Sequence, residues 1–282
     1  MFGFVGVRSE VGRRVSRLPG PLERAVHTVI YRGRLVGRWF AEREDESRTP
    51  RAITTIDPAD EMFDLREPSH YFAVGRSALA AVKAGLQRAG DPEVRRILDF
   101  PCGHGRVLRM LRAEWPDGHI TACDLNRDGV DFCARVFAAE PVYSANTINS
   151  VVTSGGYDLV WVGSLLTHLD EPRWPEMLGW FRDQLRTGGV LIFTAHGEGA
   201  IDRVINGDDY HLGSGQLDSA LRGYRSCGFG YSPYPGERDY GASFTTPEWV
   251  TAQIERVGGL VHIDTAVRGW DGHQDVVTCR VQ

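Results

Sequence analysis

The run Ile97-Leu98-Asp99-Phe100-Pro101-Cys102-Gly103-His104-Gly105-Arg106-Val107-Leu108 decides the fold. An apolar stretch ends in an acid, turns through glycines and enters an apolar-periodic segment, the pattern of strand, tight loop and helix. In a parallel sheet such a turn opens the crevice at the carboxyl ends of the strands. Gly103 and Gly105 let the backbone approach a ligand where any side chain would collide. A second run, Ile120-Thr121-Ala122-Cys123-Asp124-Leu125-Asn126, ends in another acid 25 residues after Asp99. An acid there can accept hydrogen bonds from ribose hydroxyls. Together the two acids describe a site for a nucleoside-bearing cofactor.

Working outward, residues 71–86 read as a helix. Strands are expected at 94–100, 119–124, 157–162 and 189–194, with a weaker one at 141–143. Helices at 105–114, 127–139 and 173–185 separate them. This alternation predicts an α/β fold with a parallel sheet and helices on both faces. Residues 196–244 break the rhythm with ten glycines and five of the nine tyrosines. A loop of that length is a lid or a binding surface rather than a connector. A helix follows from Thr246, with Pro247 at its first position. Two strands, 260–268 and 275–280, close the chain as a hairpin through the connection at 269–272. The expected organisation is an arm and linker over 1–50 and a main domain over 51–282, within which 196–245 form a Gly/Tyr-rich substrate lid.

The 282 residues are 42% hydrophobic and 24% charged, an ordinary globular composition. Residues 1–40 hold eight arginines against Glu10 and Glu23, a local net of +6, although the whole chain carries −5. Leu22, Ala25, Val26, Val29 and Ile30 recur there at helical spacing. The arm therefore reads as a basic amphipathic helical extension, suited to self-association or to peripheral contact with an anionic membrane. No apolar run is long enough to span a membrane, and the arm lacks the apolar core of a secretory signal. Five cysteines without C-x-x-C spacing fit a reducing cytosol, so a cytoplasmic location is expected. Outside the arm the chain is acidic, which argues against nucleic acid as a partner.

A dinucleotide site requires G-x-G-x-x-G. Counted from Gly103, the third position is Leu108. Asp99 beside the turn would repel phosphate and suit a cation. Both features favour S-adenosylmethionine, which carries a sulfonium and an ammonium and no phosphate. A nicotinamide-dependent oxidoreductase and a non-catalytic cofactor-binding protein are the alternatives.

The motifs LDFPCGHGRVL, CDLN, YDLVWVGSLLTHL and LRTGGVLIFT together resemble those of the class I S-adenosylmethionine-dependent methyltransferases, over roughly residues 71–194 and the final hairpin. The resemblance implies a Rossmann-like sheet of seven strands, mostly parallel, with an antiparallel last strand. It implies that Gly103, His104 and Gly105, in the loop with Pro101 and Cys102, wrap the methionine part of the cofactor. Asp99 would lie near its ammonium and Asp124 on its ribose. Leu125 and Asn126 would border the adenine, Gly163 and Ser164 the methyl side, and Tyr71 and Arg76 the carboxylate. Pro101 departs from the family, standing where its loop usually has a first glycine. Base-methylating members carry an Asn/Asp-Pro-Pro-Tyr loop where this chain has Gly163-Ser164-Leu165-Leu166. A small-molecule or glycan acceptor, methylated at oxygen, is therefore expected.

Methyl transfer to a hydroxyl needs a positioned base. His168 and His196 follow strands at the crevice, and His273 opens the last strand near the same rim; histidine suits a base near neutral pH. No pair of histidines or acids has the helical spacing of a metal site, so none is expected.

Overall fold

The computed structural model describes residues 52–282. The arm and its linker lie outside the described residues. The elements run in the order α1 (Pro68–Arg88), β1 (Arg96–Asp99), α2 (Leu108–Glu114), β2 (His119–Asp124), α3 (Arg127–Phe137), β3 (Glu140–Tyr143), β4 (Tyr157–Val162), α4 (Arg173–Gln184) and β5 (Leu185–Ala195). After these come α5 (Glu198–Ile205), α6 (Ser214–Cys227), β6 (Phe229–Pro233), β7 (Gly241–Thr245), α7 (Pro247–Val257), β8 (Leu260–Trp270) and β9 (Gln274–Val281). Seven strands form one sheet in the order β3-β2-β1-β4-β5-β9-β8. Strands β1 to β5 pair in parallel, and β9 runs antiparallel to both β5 and β8.

Alternation along each strand supplies two cores, as successive side chains point to opposite faces. Ile97, Ile120, Leu159, Trp161 and Ile192 pack with Val82, Leu108 and Phe137 on one face. Leu98, Val160, Val162, Leu191 and Phe193 pack with Trp174, Leu178, Phe181 and Ile254 on the other. Every residue of β4 is buried, as expected of a central strand covered on both sides. Asn126 caps α3 by accepting from the Gly129 amide at 3.2 Å, and Thr246 caps α7 through the Trp249 amide.

Three expectations are corrected. Helix α2 starts only at Leu108, because residues 103–107 are spent on the turn. Strand β8 continues through residues 269–270, placing Trp270 in the core rather than in the connection. Its ring meets Trp161 edge-on at 5.6 Å, and its indole N–H donates to the Val74 carbonyl at 3.0 Å. The segment after His196 is no long loop either. It folds into α5, α6 and the separate two-stranded sheet β6-β7, around a small core of Ala200, Leu212, Ala220, Ala242 and Phe244.

Candidate functional site

The β1–α2 turn brings the predicted loop together. The Gly103 amide donates to Asp124 Oδ2 at 2.7 Å, and the Asn126 amide donates to Asp124 Oδ1 at 2.8 Å. Gly103 has φ +50° with open space where a Cβ would project, so its backbone is bare toward the crevice. Gly105, at φ +77°, is needed for packing: a Cβ there would sit 2.5 Å from the Phe137 ring. The Phe100–Pro101 peptide is cis, and the Cys102 amide donates to the Cys123 carbonyl at 3.0 Å. On the other side of Pro101 the Phe100 amide donates to the Trp161 carbonyl at 3.0 Å, so the backbone flanking the proline stays paired.

Asp99 is 1% exposed, and neither carboxylate oxygen has a hydrogen-bond partner. Burial, and then the nearby Asp124 charge, push its carboxyl well above the usual range. Burial also raises Asp124, against the pull of the Asn126, Gly103 and Leu125 backbone donors. His104 is buried with Nε2 unpartnered. A buried carboxylate lacking a donor is a costly arrangement that a bound cation would relieve.

At the end of β4, Ser164 adopts φ +54°. Its amide donates to Thr194 Oγ1 at 2.8 Å, and its hydroxyl accepts from Gln274 Nε2 at 3.2 Å. Gly163 sits flush on Trp161, whose Nε1 would lie 2.9 Å from an added Cβ. Beside these strand ends lies a cavity of about 360 Å³, lined by Pro101, Asp124, Leu125, Leu165, Arg173 and Tyr240 among others. Residues 144–146, just past β3, also line it. Sequence reasoning missed them, although the rule that ligands gather beyond parallel strand ends applies to β3 as well.

Tyr71 is placed elsewhere. Its hydroxyl donates to Asp60 Oδ2 at 2.6 Å and accepts from Arg109 Nη2 at 3.2 Å, fully buried. Arg109 also donates to the Ile53, Thr55 and Gly105 carbonyls. Tyr71 thus belongs to a buried network that ties residues 53–60 to α2. Arg76, half-buried on α1, does not line the cavity.

The three predicted histidines converge. Ring centroids of His168 and His196 are 6.2 Å apart, and those of His196 and His273 are 6.4 Å apart. His168 stacks on Tyr240 at 4.8 Å, and Tyr240 lines the cavity. Burial lowers the His168 imidazole to about 4. Burial, with the neighbouring imidazoles, holds His196 well below its ordinary value, and burial lowers His273 too. Burial, and then the Asp124 charge, push Tyr240 up to about 12. Among the described residues no three His, Cys, Asp or Glu side chains are grouped so as to hold a metal ion.

Residues 98–191, from β1 into β5, match a family model described as a methyltransferase domain. The chain is 26% identical over 117 residues to malonyl-[acyl-carrier protein] O-methyltransferase of Halalkalibacterium halodurans, a match covering 39% of this chain and 42% of that protein. The chain thus spans less than half the length of that relative. An S-adenosylmethionine-dependent methyltransferase from Clostridium acetobutylicum superposes with a TM-score of 0.50 at 11% identity, covering 73% of this chain and 91% of that one. Mitomycin 7-O-methyltransferase gives the same TM-score at 12% identity, covering 77% and 57%. These structures share the fold. The strand order is that of S-adenosylmethionine-dependent methyltransferases of this fold, and residues 98–191 carry the match to a methyltransferase domain. The cofactor of that class is S-adenosylmethionine, and the residues fit it: an orphaned buried carboxylate for its ammonium, a bare glycine backbone and a strand-end acid for its ribose.

Proposed function

We propose that the protein transfers a methyl group from S-adenosylmethionine to a hydroxyl of a small-molecule or glycan acceptor, with a histidine as general base. The observation that carries this reading is Asp99, a buried carboxylate with two unsatisfied oxygens, in the turn whose Gly103 has open space where a Cβ would project. A dinucleotide would bring phosphate against that charge, whereas a cationic cofactor completes it. When bound, the cofactor supplies a sulfonium-activated methyl group for in-line displacement.

Asp99 holds the ammonium, Asp124 the ribose, and Leu125 and Asn126 border the adenine. Gly163 and Ser164 lie toward the methyl side. His168 is the base, in contact with the cavity wall through Tyr240; its lowered pKa keeps it neutral, and so able to take a proton, across the physiological range. His196 and His273 stand behind it as further members of the same cluster. Residues 196–245 act as the lid, since Glu237, Asp239 and Tyr240 close one side of the cavity and exclude water from the reacting groups. The relative named above is by its name an O-methyltransferase, in keeping with an oxygen acceptor. No helix among the described residues is long and apolar enough to cross a membrane. In this reading the protein works in the cytoplasm, and the basic arm supplies self-association or peripheral membrane contact.

Calorimetry tests the cofactor: S-adenosylmethionine binds the native chain and gives no signal with Asp124→Ala, whereas binding of NAD in its place would overturn the reading. Incubating cell extract with enzyme and radiolabelled methyl donor, and then identifying the labelled product, names the acceptor.

A further inference from the structure

Strand β7 is the second strand of a two-stranded sheet, so one of its edges has no strand partner. That edge lies on two of the clustered histidines. The Gly241 carbonyl lies 2.9 Å from His168 Nδ1, and the Ser243 carbonyl, two residues on and facing the same way, lies 3.1 Å from His196 Nδ1. The Thr245 amide donates to the His196 carbonyl at 2.9 Å, and the Ser243 hydroxyl donates to the Leu166 carbonyl at 3.0 Å. The hairpin thus docks on the main domain through two imidazoles and two backbone carbonyls.

A carbonyl oxygen can only accept, so each of these Nδ1 atoms must carry the proton. The alternative tautomer would set a ring lone pair against a carbonyl lone pair at 2.9 Å and leave a buried edge carbonyl without a donor. Tyr234, from the same hairpin, places its hydroxyl 3.0 Å from His168 Nδ1 as well, and Tyr240 stacks on the ring. The Tyr234 amide in turn donates to the Tyr240 carbonyl at 3.0 Å, which holds the two tyrosines as a pair.

We infer that the β6–β7 hairpin is the positioning element for His168: its Gly241 carbonyl and, accepting from the same N–H, its Tyr234 hydroxyl oxygen hold the proton on Nδ1 and leave the lone pair on Nε2. Lid docking and preparation of the base are then one event. The inference rests on His168 as the base, but the tautomer is measurable without any acceptor. Gly241 is a sharp lever, because a Cβ there would be driven into the Ser232 carbonyl of the facing strand. Gly241→Ala must therefore part the hairpin locally and move its carbonyl off the imidazole.

The test is a long-range ¹H–¹⁵N correlation spectrum of the full-length ¹⁵N-labelled protein at pH 8, with the His168 signals assigned by their loss in His168→Gln. The expected result is His168 protonated at Nδ1 and bare at Nε2. In Gly241→Ala the proton moves to Nε2, the tautomer that free histidine favours in water, and in Tyr234→Phe the two ¹⁵N shifts draw together. Calorimetric affinity for S-adenosylmethionine stays within about threefold of native in both variants. A native spectrum with the proton on Nε2 overturns the inference, as do identical His168 shifts in the native protein and Tyr234→Phe. The native and Tyr234→Phe spectra suffice should Gly241→Ala fail to fold. Loss of turnover in His168→Gln, by contrast, reports on the base itself.

Discussion

Gly129 and Gly103 meet backbone to backbone: a Cβ at 129, in the first turn of α3, would be driven into the Gly103 carbonyl oxygen. The helix therefore abuts the cofactor loop with no room to spare, and its position sets the loop's. Replacement by alanine forces loop and helix apart, and overpacking of this kind costs about 1–3 kcal/mol. Gly129→Ala is expected to bind S-adenosylmethionine about tenfold or more weakly by calorimetry, and to melt earlier.

Asp99 makes the opposite trade. Its carboxyl is raised in the folded state relative to the unfolded value of about 3.9. The folded protein thus holds that proton more tightly, and stability falls as pH rises from the unfolded pKa to the folded one. Asp99→Asn removes this penalty. The ligand-free variant should melt higher than native at neutral pH, by about 2–4 °C for each kcal/mol regained, and bind S-adenosylmethionine more weakly. Native affinity should rise with pH as Asp99 ionises, and the variant's should stay flat. Differential scanning fluorimetry and calorimetry across pH 5–8 check both.

His168 is lowered to about 4, so a base at this position is already deprotonated well below the ordinary histidine range. The pH profile of S-adenosylhomocysteine formation should have its acid limb near pH 4 rather than near 6.5. His168→Gln should reduce kcat by about 10²–10⁴-fold, the usual worth of a general base, with cofactor affinity unchanged.

The Asp60–Tyr71–Arg109 network separates structural from cofactor roles. Tyr71→Phe removes one hydroxyl between two buried partners and is expected to cost about 1–3 kcal/mol of stability. Its affinity for S-adenosylmethionine should match the native value. Arg109→Met strips donors from the Ile53, Thr55, His104 and Gly105 carbonyls and from Tyr71, while Asp60 keeps the Tyr71 hydroxyl and the Met62 amide as donors. It should destabilise by about 3–5 kcal/mol, as removal of a buried charged partner does. Thermal melts and calorimetry distinguish the two outcomes; a large affinity loss in Tyr71→Phe would return that residue to the cofactor.

The strands, the glycine turn and both strand-end acids were legible because each is a local pattern with a period or an abrupt break. The histidines were legible as positions at strand ends, since topology delivers such residues to one rim. Gly129 was not, because its role is contact with a loop distant in sequence. The buried network of Tyr71 was not legible for the same reason: Asp60 and Arg109 lie 11 residues before it and 38 after. The helices after His196 were obscured by glycines and a faint apolar stripe, α6 burying only Ala220.

Local alternation and turn chemistry in the chain alone determined a parallel α/β sheet with a nucleoside-cofactor crevice, because those signals act within a few residues. Tertiary structure alone decided that three imidazoles stand in a row, that β7 lends two of them its edge carbonyls, and that Asp99 lacks any donor. Those facts depend on which distant backbone groups are brought within 3 Å, and on which are left without a partner once water is excluded.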